Sequence, residues 1–495
     1  MGEAQVQKVG VSAMSAYVPR LRVNLQDWCN WTGNSWEKVA SVVGRSFRVP
    51  ANHENVYTMA ATAVLRLIRQ NDIDPQSVGF LGLGTESSTD NAAGAVIVRG
   101  MVDRALEELG MPRLSRACEV PEFKHACLGG IYALKSALRY VAFDAGKQTA
   151  IVVSGDVAEY ERGSTGEQTQ GAGAIAMWVT RDPQLFEVDL VHSGSASDYR
   201  GPDFRKPFAR HFIDGYAAGT DRQSDFPIFS GKYSTFSYLD ETVHAVESML
   251  EKLDESAGKY YRSVHSLFFH RPYQMMPVQA MSFLYVRGLA RGKNHHDELA
   301  GLCAEAGVSI NDVLEETNSV PDLFAAVADA GPAVADPYRA TSAVASVLRK
   351  QGSFRALLAE KMRLGSGVVS DLGNLYSAAL PGWIAAGFEE AYNAGEQLAG
   401  HPMVAVGYGS GDAAEALPIR PVPGWEKAAA RIRFAEALAN PVNLTQEQYE
   451  SFHDRRDAEG ILCAPQGGEF VISHVGERYE PSFQDLGVEY YKYVS

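Results

Sequence analysis

The chain has 495 residues, of which 46% are apolar and 21% charged, and it carries a formal net charge of −15. This composition excludes wholesale disorder and a fibrous repeat, and a chain of this length buries a large core without disulfides or a structural metal. A pI near 5.3 argues against a broad nucleic-acid footprint, which needs a basic face, but leaves room for a local basic patch around an anionic ligand.

At roughly 150 residues per domain the length predicts about three units, or one or two larger α/β ones. The five cysteines, Cys29, Cys118, Cys127, Cys303 and Cys463, are an odd, sparse set. They predict a reducing compartment rather than a disulfide framework. No CxxC pair is present, so no structural zinc or other metal is expected. The segment MGEAQVQKVG has no apolar core of a signal peptide, and Val6 stands where a myristoylation signal wants Ser or Thr. No apolar run approaches the ~18 residues of a membrane span. The expectation is a soluble, cytoplasmic protein.

In chain order, the first predicted strand is Val9–Met14, followed by an amphipathic helix over Tyr57–Arg69, where Met59, Ala63 and Leu67 recur at helical spacing. A second buried-looking strand, Val78–Gly84, runs into GLGTESSTDNAAG (82–94). Glu86 lies just past that strand, where α/β proteins place ligand-contacting groups. A carboxyl held against apolar walls has a raised pKa and moves protons near neutrality. Read alone, Glu86 better suits a cap on the next helix, and Asp90 is a further candidate for capping. The segment lacks the third glycine of a dinucleotide fingerprint.

EFKHACLGGIYALKSALRY (122–140) comes next. Cys127 opens a predicted helix over Leu128–Phe143, whose apolar face holds Ile131, Leu134, Leu138 and Val141. A cysteine at a helix N-terminus feels the positive end of the macrodipole, and free amides there favour a thiolate. Gly129 and Gly130 are expected to leave room for a substrate beside the sulfur. A buried structural cysteine is the competing explanation.

Strands are predicted at Ala150–Ser154 and Ala174–Val179, a helix at Tyr238–Leu253 and a strand at Val264–Phe269. His270 ends that last strand and Pro272 stops its continuation. There a ring nitrogen can meet a carbonyl oxygen or move a proton, although a lone histidine in such a place also reads as a satisfied core residue. From Gly288 to about Leu364 the chain is rich in Ala, Leu, Glu and Asp and is read as an inserted helical subdomain. Its adjacent His295 and His296 do not share a helix face, so a polar turn is expected there rather than a metal site. A final strand is predicted at Met403–Tyr408. Strands alternating with helices predict an α/β architecture. The Gly-rich turns of FLGLGTESS and VAVGYGSGD suggest two related halves. Together, Cys127, Glu86 and His270 supply what carbon–carbon bond formation on a thioester needs: a nucleophile, a base for an unactivated methyl group and a donor to the electrophile.

These segments resemble the 3-hydroxy-3-methylglutaryl-CoA synthase family of the thiolase superfamily. VSAMSAYVP is similar to the family's opening strand, GTESSTD to its catalytic-glutamate loop, and EFKHACLGG to its nucleophile segment. GAGAIAMWV, DFRKP (203–207), PIFSGKYSTFSYLDE (227–241), FFHRPYQMM, DLGNLYSAAL and GYGSG resemble further blocks, in family order and over most of the chain.

The resemblance implies a thiolase-like layered αβαβα fold of two related halves with a helical insertion. The units would be 1–184, 185–287, an insertion at 288–364, and 365–495. It implies an acetyl group carried on Cys127, Glu86 as base and then acid, and His270 bonded to an acetoacetyl thioester. Asn374 and Ser410 would donate hydrogen bonds at the site, and Lys206 and Lys232 would contact the carrier. It also implies acetyl-CoA and acetoacetyl-CoA as substrates, no separate cofactor, and a homodimer. One departure stands out: Met275 and Gln279 occupy positions where the family has lysines for the CoA phosphates. A β-branching synthase of polyketide assembly, taking its acceptor from an acyl-carrier protein, is therefore an alternative. A non-catalytic thiolase-fold scaffold is another, disfavoured because Glu86, Cys127 and His270 are all present.

Overall fold

The computed structural model describes residues 8–90, 93–206, 226–228, 230–454 and 463–495. Pro207 and Phe229, part of two of the blocks above, lie outside the described residues.

The first half of the chain contributes β1 (Val9–Tyr17), α1 (Val56–Gln70), β2 (Val78–Gly84), α2 (Gly94–Glu108), β3 (Glu122–Phe123), α3 (Gly129–Phe143), β4 (Thr149–Ala158) and β5 (Gly171–Arg181). The second contributes β6 (Phe186–Val188), β7 (Gly194–Ser197), α4 (Gly231–Lys252), β8 (Ser266–Phe269) and α5 (Met275–Arg291). Helices α6 to α10 follow: His296–Ala306, Ile310–Asn318, Leu323–Ala330, Arg339–Leu348 and Gly352–Lys361. Then come α11 (Ala379–Asn393), β9 (Met403–Gly409), β10 (Ala413–Pro421), and a C-terminal pair, β11 (Glu469–Val475) and β12 (Glu489–Val494). The helical region read from residue 288 is continuous with α5, which runs through Gly288.

A ten-stranded sheet has the order β8-β9-β10-β6-β1-β5-β4-β2-β3, with β7 on β10. Its midpoint is the antiparallel contact of β1 with β6. Outward on one side the pairings are β1/β5 antiparallel, β5/β4 antiparallel and β4/β2 parallel. On the other side they are β6/β10 antiparallel, β10/β9 antiparallel and β9/β8 parallel. The two halves thus repeat one pairing pattern, and it makes β8, not β9, the counterpart of β2. The Gly-rich turns of FLGLGTESS and VAVGYGSGD are therefore not equivalent, as their sequences suggest. Glycine content tracks close backbone approach, whereas equivalence is set by the pairing order. The true counterparts place Glu86 just after β2 and His270 just after β8.

Strand residues alternate between two apolar layers, as period-2 geometry requires. Ala150 and Val152 of β4 join the core shared with α3, while Ile151 and Val153 join Ala60, Val64 and Leu67 of α1. A Cβ on Gly407 of β9 would meet Leu128 and Ile131, at and just inside the start of α3, and one on Gly382 of α11 would approach Ile175 of β5. Helices α3 and α11 are therefore packed between the two halves. That arrangement, with α1 outside one half and α4 outside the other, gives the five layers. His295 and His296 sit at the α5–α6 turn, and His296 Nε2 meets the Ala290 carbonyl at 2.9 Å. No metal-type cluster of His, Cys, Asp or Glu occurs among the described residues.

Candidate active site

Cys127 follows Ala126, whose φ of 42° is in the left-handed region that side chains disfavour. This turn ends at α3, which starts two residues beyond the sulfur, at Gly129. Cys127 is 8% exposed and packs with Ala158, Tyr160, Tyr376 and Phe204. The three rings stand 5.6–6.4 Å apart, edge to face, an aromatic cage that the end of β4, the loop after β7 and the turn before α11 build around the thiol.

The cage does not favour a thiolate. Burial pushes the Cys127 thiol well above its ordinary value; the carboxylates of Glu86, Asp156 and Asp203 push the same way, and only Lys206 opposes them. The expectation of a helix-stabilised thiolate is thus overturned: the sulfur precedes the helix, and desolvation with three nearby acids outweighs any amide contribution. The expected room at Gly129 and Gly130 is also taken up by the protein itself. A Cβ on Gly129 would lie 2.7 Å from the Phe123 carbonyl oxygen, and one on Gly130 would lie 2.2 Å from Ser154 Oγ and 2.7 Å from the Ser377 carbonyl oxygen.

Glu86 does not cap a helix; Asp90 instead accepts from Ala93 N–H at 3.1 Å, one residue before α2. Burial raises the Glu86 pKa to about 7, against the pull of Lys206, Lys124 and the Ala126 backbone N–H. Its loop is clamped by the buried Asp156 at the end of β4. Asp156 Oδ1 accepts from Glu86 N (2.7 Å), Ser87 N (2.9 Å), Ser87 Oγ (2.7 Å) and Thr85 Oγ1 (3.0 Å). Its Oδ2 accepts from Ser377 N at 2.9 Å. Sequence reasoning passed over Asp156, and the one signal for it was an acid closing a buried strand in VVSGD.

His270 is 3% exposed. Its backbone N–H donates to the Val406 carbonyl at 2.7 Å, and its own carbonyl accepts from Tyr238 OH at 3.2 Å. Burial lowers its pKa to about 3, so the imidazole is neutral at working pH. Nδ1 has no hydrogen-bond partner among the described residues. The ring is inclined 27° to that of Tyr408, with centres 6.4 Å apart, and Tyr408 OH donates to Asp203 Oδ2 at 3.1 Å.

Cys127, His270, Asn374 and Ser410 line one cavity of about 330 Å³, within the range of small-molecule sites. Glu86 is outside that lining and meets the thiol through its charge and the Ala126 amide. Asn374 is buried and its Oδ1 accepts from Tyr376 N at 2.9 Å, so its amide NH2 is the group left to donate. Lys206 Nζ lies 3.9 Å from Glu86 Oε1 and 5.8 Å from the centre of the Tyr376 ring. Lys232 is exposed at the start of α4, beside the cavity-lining Gly231. Gln279 and Met276 line the cavity from α5, and no Lys, Arg, Asp or Glu does so among the described residues.

Residues 5–184 match the family described as hydroxymethylglutaryl-coenzyme A synthase N terminal. Over 485 residues the chain is 24% identical to the hydroxymethylglutaryl-CoA synthase of Haloferax volcanii, covering 96% of this chain and 99% of that protein. The Saccharomyces cerevisiae hydroxymethylglutaryl-CoA synthase is 23% identical over 96% of this chain and 90% of its own length. The solved structure of MvaS in complex with 3-hydroxy-3-methylglutaryl coenzyme A superposes with a TM-score of 0.75 at 25% identity, covering 99% of this chain and 100% of that one.

Over nearly its whole length the chain is similar to hydroxymethylglutaryl-CoA synthases. The family's thiolase-like fold is the five-layer arrangement described above, and its members are acyltransferase enzymes. The curacin-pathway HMG synthase, solved in complex with holo donor-ACP, shares the fold at a TM-score of 0.69 and 18% identity, over 99% of this chain and 100% of that one. No helix among the described residues is long and apolar enough to cross a membrane.

Proposed function

We propose that the protein is a condensing acyltransferase that joins an acetyl group held on Cys127 to the ketone carbon of an acetoacetyl thioester. The observation that carries this reading is the pairing of a deeply buried thiol with a carboxyl whose pKa is raised to about 7.

Acetylation exchanges one thioester for another: Cys127 takes the acetyl group from acetyl-CoA, and its proton leaves with the CoA thiol. No net charge is buried, which suits a thiol held protonated by its surroundings. Glu86 then removes a methyl proton from the acetyl group, a task matched to a base titrating near neutrality. The resulting carbon attacks the acceptor ketone. Neutral His270 donates to the acceptor oxygen, and protonated Glu86 returns its proton to the new alkoxide. Water then cleaves the Cys127 thioester. The amide of Asn374 and the hydroxyl of Ser410 serve as donors to developing oxyanions. Each step draws on a side chain or a substrate, so the proposed chemistry needs no metal or cofactor.

Lys206 is assigned here to tuning Glu86, and Lys232 to the carrier at the cavity mouth. A second reading has one observation in its favour. The uncharged lining, with Gln279 where the family has a lysine, suits a pantetheine arm tethered to an acyl-carrier protein, which brings no nucleotide phosphates. A homodimer is also proposed: β3 is an edge strand directly ahead of Cys127, with no outer neighbour among the described residues. The five unpaired cysteines support a cytoplasmic setting.

The test is turnover of acetyl-CoA with acetoacetyl-CoA and, separately, with acetoacetyl-phosphopantetheine on a carrier protein. Product from the first supports the leading reading. Product from the second alone selects the carrier reading, and neither product nor an acetylated Cys127 leaves the scaffold.

A further inference from the structure

On the far side of the α5 N-terminus from the catalytic cavity runs a second groove of about 660 Å³. Gln274 N–H donates to the Val43 carbonyl at 3.0 Å between the two: Val43 and Gln279 face the catalytic cavity, Gln274 and Val278 the groove. The apolar walls come from Trp36, Val278, Leu358, Met362 and Trp383, and Arg271 sits at their base.

Arg271 is 8% exposed. Its Nη1 donates to the Ser366 carbonyl at 2.9 Å and its guanidinium lies 5.4 Å from the Trp383 ring centre. No carboxylate pairs with it among the described residues. Burial, and then the charge of Arg45, lower its pKa to about 10, leaving it a cation at neutral pH. A buried cation without a counter-ion is costly, and here the missing anion has a groove to arrive through. The other two arginines of the groove are already neutralised. Arg45 holds Asp371 through two bonds of 2.6 and 3.1 Å, and Arg363 holds both oxygens of Glu396 at 2.8 Å. One positive charge is therefore unmatched, which selects a single negative charge over a phosphate or a dicarboxylate.

We propose that this groove is a second ligand site, which takes a monocarboxylate with an apolar tail, the carboxylate on Arg271 and the tail along the tryptophan-lined walls. A planar guanidinium and a carboxylate match in a two-bond fork. The site stands apart from the acyl-transfer chemistry, and its test does not depend on that chemistry.

The test is tryptophan fluorescence of the full chain, titrated with decanoate. Trp36 and Trp383 line the groove, so a saturable change is expected, with 1-decanol binding about tenfold more weakly or worse for want of the charge-assisted bond. Arg271→Gln is expected to lose affinity to the same extent. Because that variant removes a buried group next to His270, Ala359→Trp is the second arm. Ala359 is an exposed helix position at the groove, and the new ring fills the space while leaving Arg271 in place; binding should be lost while thermal unfolding stays near wild type. Acetyl-CoA should not displace the decanoate. Equal binding of decanol and decanoate, unchanged affinity in a folded Ala359→Trp protein, or one-for-one displacement by acetyl-CoA would overturn the proposal.

Discussion

The ammonium of Lys206 lies 3.9 Å from Oε1 of Glu86, and it is the strongest influence opposing the burial that raises the Glu86 pKa to about 7. Replacing it by the uncharged Lys206→Met removes that opposition, so the carboxyl holds its proton to higher pH. A base must be deprotonated to act, and the acidic limb of the kcat profile should move towards alkaline pH. At pH 7 the rate should drop several-fold, recovering at pH 9. A profile with an unmoved limb would show that Lys206 serves the carrier instead.

Glu86 also ties activity to stability. Its ordinary pKa of 4.5 becomes about 7 in the folded protein. Between those values the folded chain keeps a proton that the unfolded chain releases. Its contribution is therefore fully present below pH 4.5 and is lost as pH rises through about 7. Glu86→Gln removes this penalty. At pH 8.5 the variant should be more stable than wild type, by on the order of 3 kcal/mol at most, with no difference at pH 4.5. Condensation should fall about 10²–10⁴-fold, as for loss of a general base. Denaturant midpoints at the two pH values check the first half, and single-turnover condensation the second.

Removing the nucleophile and removing the base should fail at different steps. Cys127→Ala has no sulfur to carry the acetyl group, and intact-mass spectrometry after incubation with acetyl-CoA should show no adduct. Glu86→Ala deletes a carboxylate that raises the Cys127 pKa. Its thiol ionises more readily, and acetylation should proceed at least as fast as in wild type while condensation stops. An acetylated Cys127→Ala protein would dispose of the nucleophile assignment. An unacetylated Glu86→Ala protein would make Glu86 the base for the thiol as well.

The sequence was most informative where the physics is local. Short apolar runs located β1, β2, β4, β5, β8 and β9, and 3.6-residue spacing located α1, α3 and α4, because burial periodicity is written in consecutive residues. Glu86, Cys127 and His270 stood out as polar groups at the ends of such runs. What could not be read comes from pairs distant along the chain. Asp156 meets Ser377 across 221 residues, and Lys206 reaches Glu86 across the order of the sheet. The protonated state of Cys127 follows from the acids and rings gathered around it, which a helix-terminus argument about adjacent residues leaves out. Arg271, two residues past β8, lines the second groove and not the catalytic cavity, a placement set by packing against Trp383 and Ser366 far along the chain.

Gly130 shows how tightly that assembly is drawn. A methyl group there would stand 2.2 Å from Ser154 Oγ and 2.7 Å from the Ser377 carbonyl oxygen, and a Cβ on Gly84 of β2 would in turn lie 2.4 Å from the Gly130 Cα. The Ser154 hydroxyl can rotate, whereas the carbonyl moves only if Ser377 does, and Ser377 N–H is bonded to Asp156, which holds the Glu86 loop. Gly130→Ala should therefore cost about 1–3 kcal/mol of stability from overpacking, and it should lower condensation more than acetylation, because the strain passes to Asp156 and its loop. Adding Ser154→Gly relieves only the hydroxyl contact and should restore part of the stability. Chemical denaturation of the single and double variants measures the first effect, and the ratio of acetylation to condensation rates the second. A Gly130→Ala protein with wild-type stability would mean that the contact between α3 and the Ser377 turn yields easily, and the clamp from Asp156 to Glu86 would lose its support.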